Sequence, residues 1–429
     1  MKIQACIVPA FLTSIAVAQP PVAFILNYGN GGNEKFEDVY AISDGGYILC
    51  GITRSDGGVD GTATPGNLIV TRVDADGEII WNRVVDRENA ALLLSVIETD
   101  NGSFVFVGQD AYERYALELS RDGDEVWSSR YGRGRFDAVI ELKDGRFLCA
   151  GRETFNTYQA NLTCITPEGE LIWSRRYDIE HSSHLTGLRE LEGSVVAAGN
   201  GNVRALGGGI RPLPLALRVA LDDGAVIWQF FSAEGPIMNV RDMTSSGDGG
   251  FVLAGDWWGD DVRGAALIKI NSAGEEVWQR NLQRLGREIL VHGIARALDG
   301  GFILAGVFLY RPRNFPAAVI RTNSEGIPRW SSFYNLEEDP RFGIGPTANG
   351  LLSVVKNSDH EFVATGLVYT AADSTYDGLL MKLEPDILGP SFIAWSPEDT
   401  LLQVLRGTEV TIIAVAHSDY FDNLDYIWS

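Results

Sequence analysis

Apolar residues along this chain come in short runs separated by polar turns, and nowhere in the repeats do they recur at the 3.6-residue spacing of a helix. Seven runs share one form, a tight turn and then an apolar strand that ends in a glycine. They read DGGYILCG, NGSFVFVG, DGRFLCAG, EGSVVAAG, DGGFVLAG, DGGFILAG and DHEFVATG, and reach Gly51, Gly108, Gly151, Gly199, Gly255, Gly306 and Gly366. A second motif, Gly-x-x-x-Trp, alternates with the first and reaches Trp81, Trp127, Trp173, Trp228, Trp278 and Trp330, at steps of 46, 46, 55, 50 and 52 residues. The intervals are too even for chance. Each unit predicts four strands, named A to D here. Strand A leads through an Asp-Gly or Asn-Gly hairpin turn into B, the strand that reaches the glycine. A variable loop then leads to C, and a glycine turn leads to D, the strand that carries the Trp.

Four short strands per unit of about 40–50 residues predict the blades of a β-propeller. The expected fold is all-β, a seven-bladed propeller of four-stranded antiparallel blades. Unit seven has strands A, B and C and then runs into ILGPSF with no Trp. The missing strand stands at the front of the chain in AFILNYGN. There Phe24 occupies the Trp slot and Tyr28 follows by four, as Tyr131 follows Trp127 and Tyr177 follows Trp173. An open ring would leave a bare sheet edge, so this strand is expected to close it.

The strand C–turn–strand D hairpin with Gly-x-x-x-Trp resembles the PQQ-like, quinoprotein-type repeats of exported bacterial propellers. The resemblance covers six of the seven units and implies architecture. The adjacent cysteine pair shared by the quinone enzymes is not in this sequence, so no cofactor is expected. SRDGDEVW, with Ser120, Asp122 and Trp127, also resembles the Asp box of sialidases, itself a structural turn. The tail contains VLRGTEV, TIIAVAHSD and DNLDYIW and resembles the opening of a bacterial immunoglobulin-like domain. Such a sandwich needs roughly 100 residues. Residues 390–429 are therefore expected to be its truncated N-terminal part, the alternative being a strand ribbon that docks on the propeller.

The first residues change the picture of where the protein works. MKIQACIVPAFLTSIAVAQPP has one Lys, an apolar run and the small-residue pattern Ala16-Val17-Ala18, which reads as a secretory signal over residues 1–18. The propeller is then expected over 19–389, in a secreted, extracellular or cell-surface protein, with the periplasm as an alternative. The net charge of −22 repels phosphates and anionic lipid heads, so neither nucleic acid nor membrane insertion is expected. The expected state is a monomeric propeller inside a longer modular chain. Loss of Cys6 with the signal leaves Cys50, Cys149 and Cys164, an odd number. Buried thiols are the first reading, and a Cys149–Cys164 disulfide is the alternative.

Candidate chemistry falls on the face built from the B–C and D–A loops, which vary where the A–B and C–D turns do not. The sharpest cluster is Asp256, Trp257, Trp258, Asp260 and Asp261, with Tyr310, Arg311 and Arg313 in the next unit. Indole rings stack on sugar faces and carboxylates accept hydroxyl bonds, so the expected partner is a glycan, or a protein, bound without catalysis. The alternative is a hydrolase or lyase acting on extracellular polysaccharide, which would gather carboxylates, or Arg with Tyr or His, at the mouth of the axial channel. Asp74, Asp76 and Glu78 have calcium-like spacing within a turn where Asp-Gly is expected anyway. His181 and His184 lack a third zinc ligand. A column at the axis is expected to comprise Asp38, Ser95, Ala138, Thr186, Asp242, Gly293 and Ser353, with a cation between Asp38 and Asp242 as the alternative to water.

Overall fold

The structure is a computed structural model. It describes residues 22–29, 32–54, 66–86, 91–154, 157–179, 182–204, 210–232, 237–258, 263–282, 288–309, 316–334, 350–357, 361–370, 375–383, 412–418 and 421–428. The described residues are all-β, without a helix. The chain divides into two compact units. One is Pro21–Pro385; the other combines Met1–Pro20 with Asp386–Ser429.

Within Pro21–Pro385 the strands form five four-stranded antiparallel sheets and one seven-stranded sheet, each in the order A-B-C-D. The larger sheet arises because one strand, Glu125–Glu141, is both D of unit two and A of unit three. The other A strands are Asn33–Ala41, Ala91–Glu98, Ser182–Leu191, Ile237–Ser245, Glu288–Arg296 and Gly350–Lys356. Consecutive A strands lie side by side, and that of unit seven lies beside that of unit one, where Ser353 Oγ donates to Asp38 Oδ1 over 2.6 Å. Val22–Tyr28 pairs antiparallel with Thr375–Leu383, the C strand of unit seven, with Ile25 opposite Met381 and Tyr28 opposite Gly378.

The seven strand-B glycines do not end their strands, as the sequence suggested. Strand B runs on past each one, for example over Tyr47–Arg54 through Gly51. Opposite every one of these glycines, strand A carries a β-bulge that leaves one residue unpaired. The seven bulge residues are Glu37, Leu94, Asp137, Thr186, Arg241, His292 and Leu352. The glycine is required because the bulge drives a strand-A carbonyl against it. A Cβ at Gly51, Gly255 or Gly306 would lie 1.9, 2.1 or 1.9 Å from the oxygen of Lys35, Asn239 or Leu290. A glycine inside a strand marks a bulge or a close backbone approach, and here it marks both.

The Gly-x-x-x-Trp motif links each unit to the next. Trp81, Trp127, Trp173 and Trp228 donate their indole N–H to Arg121, Pro167, Leu221 and Ser272 carbonyls in the following C–D turn, over 3.0, 2.9, 3.3 and 3.1 Å. The glycine of that turn meets the ring. A Cβ at Gly169 (φ 79°) would lie 2.6 Å from Trp127, so the position needs glycine for both conformation and space. Tyr131 and Tyr177 add hydroxyl bonds to Gly169 O and Gly224 O over 2.7 and 2.8 Å. The N-terminal strand repeats the pattern. Tyr28 donates to Gly77 O over 2.6 Å, and a Cβ at Gly77 would lie 2.1 Å from Leu26 and 3.4 Å from the Phe24 ring. Phe24 thus stands in the Trp slot, as the spacing predicted.

Other motifs resolve into turn chemistry. Asp74 Oδ1 accepts the backbone N–H of Asp76 and Glu78, and Ser120 Oγ that of Asp122 and Asp124. The Asp box and the calcium-like spacing therefore coincide with side chains that cap their own turns. Cys149 and Cys164 are free and buried. They sit one register apart, Cys149 opposite Thr163 and Leu148 opposite Cys164, so their side chains leave opposite faces of the sheet. In the second compact unit, Ile412–Ser418 and Phe421–Trp428 form an antiparallel hairpin; the remainder of the immunoglobulin-like reading lies outside the described residues, as does the signal.

The B–C connection of unit two is a two-residue turn in which Ala111 (φ 51°) and Tyr112 (φ 65°) both adopt left-handed backbone. Each costs about 1 kcal/mol or more relative to glycine or asparagine. Replacing the pair by Ala111→Asn/Tyr112→Gly, the residues a type I′ turn favours, is expected to raise stability by about 1–2 kcal/mol in urea unfolding.

Candidate functional site

The bulges aim seven side chains at one place. All seven line a cavity of about 480 Å³ among the A strands, together with Lys35, Ala91, Leu92, Arg135, His184 and Val240 from those strands and Ile52, Arg54 and Gln109 from strand B. Lys35, Leu92, Arg135 and His184 precede their bulges by two, toward the D–A connections, and Ile52, Arg54 and Gln109 follow their glycines toward the B–C loops. The cavity therefore lies on the side of the variable loops.

Its charge opposes that of the chain. Four cations, Lys35, Arg54, Arg135 and Arg241, face two carboxylates, Glu37 and Asp137, in a protein of net charge −22. Each carboxylate pairs with the cation two residues before it on the same strand, Lys35 Nζ–Glu37 at 2.8 Å and Arg135–Asp137 at 2.5 Å. Arg241 is held differently. Its Nε donates to Asp256 Oδ2 over 2.8 Å, and its side chain remains 38% exposed. Burial pushes the His292 imidazole down to about 3, with Arg241 and Lys35 adding to the shift. His184 is pushed down to about 4, again mainly by burial, with Arg152, Arg135 and Arg241 contributing. Both rings are neutral at pH 7, beside fixed positive charge.

One step further along strand A, the small polar column ties units together. Asp38 accepts from Val96 N–H in unit two over 3.0 Å and from Ser353 in unit seven; Asp242 accepts from Ile294 N–H in unit six over 3.0 Å. Burial lifts the Asp38 carboxyl to about 6 and raises Asp242. Their hydrogen bonds are to protein groups, and among the described residues no group of three His, Cys, Asp or Glu is placed to hold a metal ion. In unit four the A–B turn is shorter, with Leu191 already opposite Ser194, so the expected column is off by one: Gly187 stands at the axis level and Thr186 is the bulge residue. Cys50, Cys149 and Cys164 belong to three separate packed clusters.

The expected glycan cluster is only partly within the described residues. Asp256 is corrected: it is 1% exposed and lies in strand B, where its carboxylate holds Arg241 and accepts Val291 N–H from the next unit over 3.0 Å. Its position just past the strand-B glycine turns it inward. Trp257 is also in strand B and packs, half-buried, on the core cluster around Val240 and Leu253. Trp258 is the last residue of that strand. Asp260, Asp261, Tyr310, Arg311 and Arg313 lie outside the described residues, as does His181. Residue-by-residue reading missed Arg241, His292, Arg135 and the ring they form. Their signal was the glycine at one position of seven strands.

This arrangement defines a β-propeller with a polar axial cavity. Residues 116–289 match the family described as Outer membrane protein assembly factor BamB; that match and the structural neighbours support a PQQ-like β-propeller. The WD40 domain of Neurospora crassa Pan2 is similar at a TM-score of 0.51 and 10% identity, over 82% of this chain and 90% of that one. A Drosophila Plexin A structure, in complex with Semaphorin 1b, is similar at 0.50 and 10%, over 85% and 87%. At that identity the likeness is one of fold. No curated protein matches the chain.

Proposed function

We propose that the chain is an exported, non-catalytic binding module, a closed seven-bladed propeller that takes a glycan or protein ligand on its B–C/D–A face. The observation that carries this reading is the convergence of all seven bulge side chains on one cavity open to that face. The cavity's volume lies in the range of small-molecule sites, and its lining is more polar than theirs. The pairing of Val22–Tyr28 with unit seven and the contact of strand A in units seven and one support closure. Residues 1–18 would be the export signal, and residues 390–429 would belong to an immunoglobulin-like module. Trp257, Trp258, Asp260, Asp261, Tyr310, Arg311 and Arg313 would form the rim of the binding face. Nucleic acid and membrane remain unsuited to the charge.

A glycan array probed with the full chain, wild type beside Trp257→Ala/Trp258→Ala, tests this. Binding that disappears in the double variant is the expected result. A folded wild type that binds no glycan shifts the reading to a protein partner. The second reading is an enzyme acting on polysaccharide, for which Glu37 and Asp137 are the two carboxylates that the cavity brings together. Release of new sugar ends from a polysaccharide panel would establish it.

A further inference from the structure

We infer that the axial cavity binds a small organic carboxylate, its anionic group held by Arg241 and its body lying against Leu92, Leu94 and Leu352. The inference rests on the binding reading above and names the ligand class of that site.

Arg241 carries the argument. It is the residue that the bulge leaves out of the backbone register, and its side chain lines the axial cavity. Asp256, buried behind it, takes Nε and also holds Val291 N–H. The guanidinium is thereby fixed from the rear. Its two terminal nitrogens carry no hydrogen bond among the described residues. They form the planar fork that matches a carboxylate with two parallel bonds. Arg135 and Lys35 differ, because each has a carboxylate on its own strand.

The neighbours fit the same ligand. In ring order Arg241 stands between Thr186 and His292, with His184 two residues before Thr186 on the same strand. His292 makes no hydrogen bond among the described residues. Burial, with the neighbouring cations adding to it, keeps both imidazoles uncharged, so the positive charge beside them is that of the arginines. The apolar contribution comes from units two and seven. Leu92, Leu94 and Leu352 reach the cavity on either side of the Lys35–Glu37 pair. A ligand with one charged end and an apolar or sugar-like body uses both arcs, whereas inorganic phosphate uses one.

Two sources share this chemistry, a sugar acid and a short aliphatic acid. Isothermal titration of the full chain with sodium D-glucuronate, D-glucose, sodium hexanoate and hexanol separates them. At least one acid is expected to bind tenfold or more tighter than its neutral counterpart, and Arg241→Gln to lose that preference. Removing one partner of a buried pair can unfold a protein, so Arg241→Gln/Asp256→Asn, which removes both charges, is measured alongside. Equal binding of acid and neutral forms, no binding of either acid, or an acid preference that survives in both folded variants overturns the inference. Glycan-array binding that persists in Arg241→Gln leaves the broader binding reading intact while this one fails.

Discussion

Gly255→Ala is expected to destabilise the propeller by about 3 kcal/mol, the upper part of the usual range for forcing extra volume into a packed core. The added methyl would lie 2.1 Å from the Asn239 carbonyl oxygen and 2.9 Å from Val240 Cα. Both are backbone atoms of the bulged strand, so no side chain can rotate away. Relief requires the bulge to flatten, and flattening would withdraw Arg241 from the axis and pull Asp256 off Val291 N–H. The control is Gly264→Ala in the next strand of the same sheet. Its nearest neighbour is Asn281 Oδ1 at 3.7 Å, ordinary contact, so it should change stability by under about 1 kcal/mol. Urea midpoints for the two variants and wild type provide the comparison. A Gly255→Ala midpoint equal to that of Gly264→Ala would mean that the bulge adapts freely and that the seven glycines have another cause.

The same glycines explain what could be read from the sequence. The repeat, its turns and the Trp slot are local patterns: Asp-Gly and Gly-x-x-x-Trp act within a few residues of where they are written. Phe24 and Tyr28 could be matched to unit seven because their spacing repeats that of Trp127 and Tyr131, and their contacts with Gly77 follow the same pattern. The cavity is different. Whether Arg241 or Asp242 faces the axis depends on one unpaired residue in a cross-strand register, and a one-residue slip exchanges the two faces of a strand. Counting residues back from strand B reaches the inner column in six units, misses it by one in unit four, and does not show the bulge that separates it from the cavity ring. Asp256 shows the same difficulty: the glycine reads as the end of strand B, whereas the strand continues to Trp258. The loops that carry Asp260, Tyr310 and Arg313 vary in length and composition, and no local rule fixes where they meet.

Deleting residues 1–30 is expected to have the largest effect of any change, on the order of 5 kcal/mol, with self-association of the truncated chain. Val22 and Ile25 pack on the cluster containing Trp330, Leu379 and Met381, and Phe24 and Tyr28 on that containing Phe36, Tyr47 and Leu380. Large apolar side chains contribute roughly 1.5–3 kcal/mol each when fully buried, and these are half-buried. Tyr28 also meets Phe36 edge-on at 5.9 Å, and Asn27 donates to Asp377 over 2.9 Å. Without the strand, Thr375–Leu383 becomes an edge whose Leu379, Leu380 and Met381 are otherwise fully buried, and such an edge recruits other chains. A peptide spanning residues 21–30, added in trans, should restore the monomer and most of the lost stability. Phe24→Ala in that peptide should weaken rescue, because the ring covers the Gly77 turn. Sedimentation and thermal unfolding of the truncated chain, with and without peptide, decide the matter. A truncated chain that stays monomeric and melts with wild type would show that the N-terminal strand decorates the last sheet rather than closing the ring.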